Sequence, residues 1–345
     1  MGEVKHSYQS WYAIFEEIYS YADGAVNPGT PYDCTPLVEG TVVSEGNVTA
    51  DYLAPKSMKM TIPDSTLERF PIKDIGADLY LDDIVPQKTV YNDGQINAYV
   101  QNNDYLSSAM GVRSDSTPNV PQFTAPGETP PSYTIHAYNT IESYQAFGCV
   151  IKDYTLECKA EQLCTQNITF LHHKTDNITP DWTAPTAIVY NTAVRQHFSD
   201  VAIVINGYNI SDLFMKGFTL KITNEFHPTV ILDGYYRKAP VLKSRNITMD
   251  VEFEANASDF QIDRFAALPT EFGVAVKLGT TDSEVIKTYW NNMCVDSIDW
   301  QPLSDPGEVY TYKMGLKNGA GFSYTDGIHN GESKVDKTIN ITISA

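Results

Sequence analysis

Gly148-Cys149-Val150-Ile151-Lys152-Asp153-Tyr154-Thr155-Leu156-Glu157, followed after a short gap by Asn167-Ile168-Thr169-Phe170-Leu171-His172-His173-Lys174, reads as one pair of strands. Gly217-Phe218-Thr219-Leu220-Lys221-Ile222-Thr223-Asn224-Glu225, answered by Ser244-Arg245-Asn246-Ile247-Thr248-Met249-Asp250-Val251-Glu252-Phe253-Glu254-Ala255, reads as a second. Apolar and polar residues largely alternate in each, so one face packs on a core while the other meets water. This is the pattern of antiparallel sheet with one wet face.

Further out, Val48 to Leu53 and Met58 to Ile62 are short alternating runs that predict more strands. Near the N-terminus, Trp11, Ile14, Phe15, Ile18 and Tyr19 recur at helical spacing and predict a short amphipathic helix or arm within residues 1–36. An apolar stripe of this kind must be covered by its own domain or by a neighbour, so Trp11, Ile14, Phe15 and Ile18 are candidate assembly contacts. Residues 113–133 carry prolines at 118, 121, 126, 130 and 131, which cannot donate to a ladder, and predict an extended loop. Thr175 to Thr186, with Pro180 and Pro185, reads as a linker, and the Gly-rich stretch Lys317 to Lys334 as a third loop.

The strand pattern is duplicated. Cys149 heads a strand whose partner ends near Lys174, and Cys294 heads one whose partner carries Met314, Leu316 and Lys317. The expectation is a mainly β chain with two tandem β-domains, residues 37–180 and 187–345, and short flanking helices.

Composition agrees with a folded, β-rich protein. Charged residues are 19% of the chain, below the roughly 25% of an average domain, and 22 Tyr and 14 Phe supply bulky strand-forming side chains. The formal net charge of −19 opposes a tight grip on phosphate backbones. Five cysteines without CxxC spacing argue against a disulfide framework, and Cys149 and Cys294 read as small buried apolar residues. Glu16 and Glu17 interrupt what a signal peptide would need as an apolar run, and no stretch is long enough to span a membrane.

Catalytic patterns are not found. The chain carries no GxSxG elbow, Walker loop or HExxH, and Gly319-Ala320-Gly321 lacks the third glycine of a dinucleotide fingerprint. His172 and His173 point to opposite faces if they lie in a strand, and so cannot share a metal. Asp82-Asp83 and the Asp64/Glu68 pair lack the ligand density of a calcium loop. Cys158 and Cys164 flank a turn without a His or Asp to activate either thiol. Trp182, Trp290 and Trp300 suit either sugar stacking or a strand core. No enzyme activity, cofactor or metal is expected.

Two longer stretches carry a resemblance. The run from Pro131-Ser132-Tyr133-Thr134-Ile135 through Gly148-Cys149 to Lys174, and the stretch from Gly217 through Gly234-Tyr235-Tyr236-Arg237-Lys238-Ala239-Pro240 to Phe253, resemble the tail tube (major tail) proteins of tailed phages and tailed archaeal viruses. The resemblance covers roughly Leu37 to the C-terminus through strand and turn patterns. It implies tandem antiparallel β-sandwich or barrel tail-tube domains whose inner sheets join edge to edge around a ring, with rings stacked into a hollow tube that carries viral DNA into the host. Two such domains per chain imply a trimeric ring with pseudo-sixfold symmetry; a single one implies a hexamer. The same resemblance implies a virion tail location after assembly in the host cytoplasm, with tail terminator, tape-measure and tip proteins as partners. It also implies passage of DNA without specific binding, past an acidic wall. The competing expectation is a monomeric β-sandwich that binds a receptor or carbohydrate, which exposed aromatics on one face would favour.

Overall fold

The computed structural model describes residues 11–16, 58–61, 64–72, 83–101, 104–110, 112–113, 122–123, 126–127, 130, 133–138, 143–172, 174–178, 195–205, 208–209, 215–227, 240–254, 271–280, 283–301, 311–326 and 337–339. The first strands are β1 (Trp11–Glu16), β2 (Met58–Thr61), β3 (Asp64–Ile72), β4 (Asp83–Asn92) and β5 (Gly94–Tyr99). A short helix α1 (Asp104–Ala109) precedes β6 (Val112–Arg113), β7 (Gln122–Phe123) and β8 (Tyr133–Tyr138). The centre of the chain forms β9 (Ser143–Lys159), β10 (Thr165–Leu171) and β11 (Lys174–Ile178). After it come β12 (Val201–Ile205), β13 (Tyr208–Asn209), β14 (Met215–Phe226) and β15 (Leu242–Glu254). The last strands are β16 (Glu271–Thr280), β17 (Ser283–Gln301), β18 (Thr311–Asp326) and β19 (Lys337–Ile339).

Fifteen of these strands join one curled antiparallel sheet, a half-barrel whose main path runs β13-β12-β16-β17-β18-β15-β14-β9-β10-β5-β2. The alternation that marked the two strand pairs is what buries one face. Ile96, Ile168, Tyr154, Ile222 and Ile247 lie side by side across β5, β10, β9, β14 and β15, each fully buried. Each such aliphatic side chain contributes about 1.5–3 kcal/mol on burial. Tyr105, Leu106, Ala109 and Met110 from α1 and its end pack into the same core, which continues without a break to Met293 and Met314. The tandem expectation therefore meets a single sheet: β9 of the first half pairs with β14 of the second over Lys159↔Gly217 to Asp153↔Thr223.

The pairing scheme of the first half recurs in the second. β1 pairs β8, β8 pairs β9, β9 pairs β10, β10 pairs β5 and β5 pairs β2. In the same order β12 pairs β16, β16 pairs β17, β17 pairs β18, β18 pairs β15 and β15 pairs β14. The irregularities correspond as well. The β9–β10 ladder skips Lys152, and the β17–β18 ladder skips Asp296. The β8–β9 ladder slips between Tyr133 and Ile135, and the β16–β17 ladder between Phe272 and Val274. Bulges change local twist and re-aim side chains, so bulges at matched positions give both halves the same curl.

Several sequence expectations need correction. The segment expected to be an N-terminal helix is strand β1 over Trp11–Glu16, because its backbone pairs with β8 from Trp11↔Tyr138 to Glu16↔Tyr133; tertiary pairing overrides helical spacing. The duplicated hairpin is present, but its alignment shifts. Val150 and Cys294 are the counterparts, opposite Leu171 and Lys317, and both parent strands begin well before the cysteines. The linker expected from Thr175 starts late, since β11 pairs through Ile178 with Ser143. The Gly-rich stretch from Lys317 is strand up to Asp326, with β17 pairing Lys317, Asn318 and Ser323 to Asp326, while residues 319–322 fall where that ladder is interrupted. Inside the Pro-rich stretch, Val112↔Phe123 and Arg113↔Gln122 form a small ladder. Gly127, at φ +91°, donates its N–H to Leu242 O at 2.8 Å and ties the stretch to β15. The helix α1 has no forerunner in the sequence reading.

Tyr154 carries a further consequence of burial. Its hydroxyl sits in the core without a hydrogen-bond partner among the described residues, and burial raises its pKa far above the ordinary tyrosine value. Replacing Tyr154 with Phe removes an orphaned polar atom and is expected to stabilise the fold by about 1 kcal/mol, read from the thermal midpoint. The sign of the pH effect follows from the raised pKa. Below the ordinary tyrosine pKa both states keep the proton, and above it only the unfolded chain loses it, so this group's stabilisation falls as pH rises and is absent in the Phe variant.

Candidate assembly surface

Residues that alternate with the core line the opposite, wet face of the sheet. They include Asp153, Thr155 and Glu157 on β9, Thr219, Lys221 and Thr223 on β14, and Asn246, Thr248, Asp250 and Glu252 on β15. Lys313 and Lys317 on β18 and Ser297 and Asp299 on β17 continue the surface. Thr and Asn hydroxyls and amides dominate between the charges.

Five lysines on or beside this face are held by carboxylates, whereas Lys221 and Lys313 have no carboxylate partner among the described residues. Lys152 lies 3.0 Å from Asp93, Lys159 2.7 Å from Glu157, Lys216 2.9 Å from Glu254 and Lys243 3.5 Å from Glu225, while Lys317 contacts Asp296. Exposed pairs of this kind add little stability. Their effect is on charge presentation, since each of these ammonium groups already faces a carboxylate. The bulged residues Lys152 and Asp296 take part in both halves with opposite sign, paired to Asp93 and to Lys317. A hydrogen bond from Ser244 and the charge of Lys243 hold the Glu225 carboxyl below its usual range, and Asp296 raises the Lys317 ammonium, so both stay ionised at neutral pH.

The anticipated chemistry can now be placed. Trp11, Ile14 and Phe15 lie in β1, and Ile18 lies outside the described residues. Cys149, Cys158, Cys164 and Cys294 are all buried. A hydrogen bond to Cys164 and burial push the Cys158 thiol up, away from nucleophile duty. Trp290 is fully buried and donates its indole N–H to the Thr288 hydroxyl at 2.8 Å, so it is core and not a sugar platform. His172 is buried; His173, Trp182 and Asp82 lie outside the described residues. Asp64 and Glu68 are strand residues of β3, and no group of three or more potential metal ligands gathers among the described residues. Among those residues no helix is long and apolar enough to cross a membrane.

Strand edges complete the surface. Among the described residues β2 pairs only on its β5 side. β16 leaves β17 at Cys294, so among the described residues the end of β17, residues 295–301, pairs only with β18. Open edges beside a wet, catalytically plain face define a surface suited to joining other sheets. Residues 87–344 match the family model described as phage tail tube protein. The chain belongs to the phage tail tube protein family. As a phage tail tube protein it is a structural component of the virion tail that self-assembles into a tube, and it is not an enzyme. The match begins within β4, so it covers the second half of the pairing scheme and, of the first, β5, β8, β9 and β10 but not β1 or β2. No curated protein matches the chain.

Sequence reading located the strands of this surface but missed its edges. A signal was present: Met58-Lys59-Met60-Thr61-Ile62 is echoed by Met215-Lys216-Gly217-Phe218-Thr219-Leu220, the extra residue falling where the β14–β15 ladder bulges between Met215 and Gly217.

Proposed function

We propose that the chain is a double tail-tube unit, three copies of which close into a ring with pseudo-sixfold symmetry. Such rings stack into the hollow shaft through which viral DNA passes, in the tail of a tailed phage or tailed archaeal virus. The observation that carries this reading is the repeated pairing scheme with its matched bulges. It supports division into two like units that share one sheet, near 37–180 and 187–345.

Geometry supports the ring size. Eight strands run along the sheet from β17 to β2, so three copies supply ~24 strands. At about 4.8 Å per strand and the usual barrel tilt, that closes to a cylinder roughly 35–50 Å across, wide enough for a DNA duplex between the side chains. Six copies would double that width. The net charge of −19 and lysines already held by carboxylates support a wall on which phosphates find weak purchase. Tail terminator, tape-measure and tip proteins are the partners this reading implies, with assembly in the host cytoplasm. Trp11, Ile14, Phe15 and Ile18 enter it as contacts between copies, delivered by a segment that is a strand over Trp11–Glu16.

Negative-stain imaging of the purified protein tests the reading. Annular particles or uniform tubes are expected, with a ring mass of three chains; single globules at high concentration would overturn it, and six-chain rings would overturn the double unit.

A further inference from the structure

Cys158 near the end of β9 and Cys164 just before β10 face each other across their hairpin. The β9–β10 ladder runs to Glu157↔Thr165, and one step further sets Cys158 opposite Cys164. Both backbone groups of Cys164 bond away from β9: its N–H donates to Gln196 O at 2.9 Å, and its carbonyl accepts from Val100 N at 3.0 Å. The two cysteines therefore form a non-hydrogen-bonded pair, the kind that brings opposite Cα atoms to about 4.5 Å. That separation lies within the roughly 4.4–6.8 Å that a disulfide spans. The Cys158 thiol donates a hydrogen bond to Cys164, so the sulfurs are already neighbours. Both are buried free thiols. Several segments meet at this pair. In the hairpin tip Glu161 takes a left-handed φ of 63°, and Gln162 donates its N–H to Lys159 O at 3.1 Å. Ala160 N donates to Lys216 O of β14 at 2.9 Å, and Phe198 N, on the way into β12, donates to Gln162 O at 3.0 Å. Leu163 also bridges His197. The mouth of this hairpin is thus the place where strands of the second half are tied to the first.

We propose that Cys158 and Cys164 are a redox pair that closes into a disulfide when the folded chain meets a peroxide, bracing the hairpin tip on which both halves converge. Peroxide is the fitting oxidant because it is little larger than water, and a buried pair admits nothing bulkier without opening. Cys164, the acceptor of the thiol–thiol hydrogen bond, attacks one peroxide oxygen through its sulfur. The O–O bond breaks, Cys164 becomes a sulfenic acid, and the departing oxygen takes the thiol proton and leaves as water. Cys158 Sγ then attacks the Cys164 sulfur, the S–O bond breaks, and the hydroxyl leaves with the Cys158 proton as a second water. Two thiols and one peroxide give one disulfide and two waters, the sulfurs being oxidised and the peroxide oxygens reduced. A component of the virion tail works outside the cell, where disulfides persist, whereas thiols stay reduced inside it.

Thiol counting on the full-length protein tests the pair. Reduced protein is treated with hydrogen peroxide or left untreated, then denatured in a maleimide reagent, and the intact mass gives the number of labelled cysteines. The untreated chain is expected to take a label on each of its five cysteines. In the treated chain Cys158 and Cys164 should escape the label, and peptide mapping should find them joined to each other. In Cys158→Ser, Cys164 should stop at the sulfenic acid and react with a dimedone probe. The joined protein should melt a few degrees above the reduced one, and Cys164→Ser should show no such rise on treatment. Treated wild-type protein in which both cysteines still take the label, or in which either is joined to a different cysteine, would overturn the pair, and that readout requires no variant to fold. A Cys158–Cys164 bond that leaves the thermal midpoint unchanged would overturn the bracing role.

Discussion

Ile247→Asp is expected to unfold the entire chain in one transition. Ile247 is fully buried on β15, opposite Ile222 on β14, in the row that continues through Tyr154, Ile168 and Ile96 of the first half. A carboxylate there has no cation in the row, and it must either lose its hydration or take up a proton. The cost is about 4–5 kcal/mol or more, against a typical total stability of about 5–15 kcal/mol. Because the row crosses the joint between halves, the damage spreads to both. Calorimetry should show a single endotherm for the native chain and none for the variant, whereas Ile247→Val should lower stability by only about 1 kcal/mol. A surviving endotherm from an intact first half would show that the halves unfold separately.

Asn224→Leu should cost nearly as much for a different reason. The Asn224 side chain is buried and donates to Ala109 O at 2.9 Å and Ile151 O at 3.0 Å, while its Oδ1 accepts from Arg245 Nε at 2.8 Å. One amide thus ties the end of α1 to β9, β14 and β15. Leucine matches its bulk but strands two carbonyls and a buried guanidinium, whose Nη2 already has no acceptor among the described residues. Leaving such groups unpaired costs about 3–5 kcal/mol. Adding Arg245→Met to Asn224→Leu should restore the part due to the charge, a coupling of about 1–3 kcal/mol in a double-mutant cycle read by denaturant unfolding. Burial lowers the Arg245 pKa to about 10. The unfolded chain holds that proton to higher pH than the folded one, so Arg245's contribution becomes more favourable as pH rises above about 10 and is least favourable below it. Additive losses in the cycle would remove Asn224 as the guanidinium's anchor.

The two strand pairs were legible because alternation is a local signal. β9, β10, β14 and β15 lie where the pattern put them, and their buried positions follow the apolar ones except at Gln166, Asn224 and Arg245. Errors arose where local signals compete with partners distant in sequence. Trp11, Ile14 and Phe15 have helical spacing, yet β8, from Tyr133 to Tyr138 far along the chain, supplies a ladder. Glycines at 319 and 321 read as loop, yet β18 runs through them, and β17 pairs on both sides of the ladder interruption in which they fall. Cys149 and Cys294 looked like counterparts, but the bulges at Lys152 and Asp296 set the true alignment, and bulges leave no composition mark.

By itself the sequence determined that this is a β-rich, acidic chain without a catalytic constellation, that its strands carry one wet face, and that a tail tube pattern runs along it, because side-chain alternation and composition are properties of neighbours in the chain. Only the tertiary structure decided which strands meet. It placed β9 against β14, left β2 and the end of β17 with one unpaired edge each among the described residues, and set Asn224 between three strands and a helix end. Strand order and register depend on hydrogen bonds between residues far apart in sequence, and these are fixed by the closing of the whole sheet over one core.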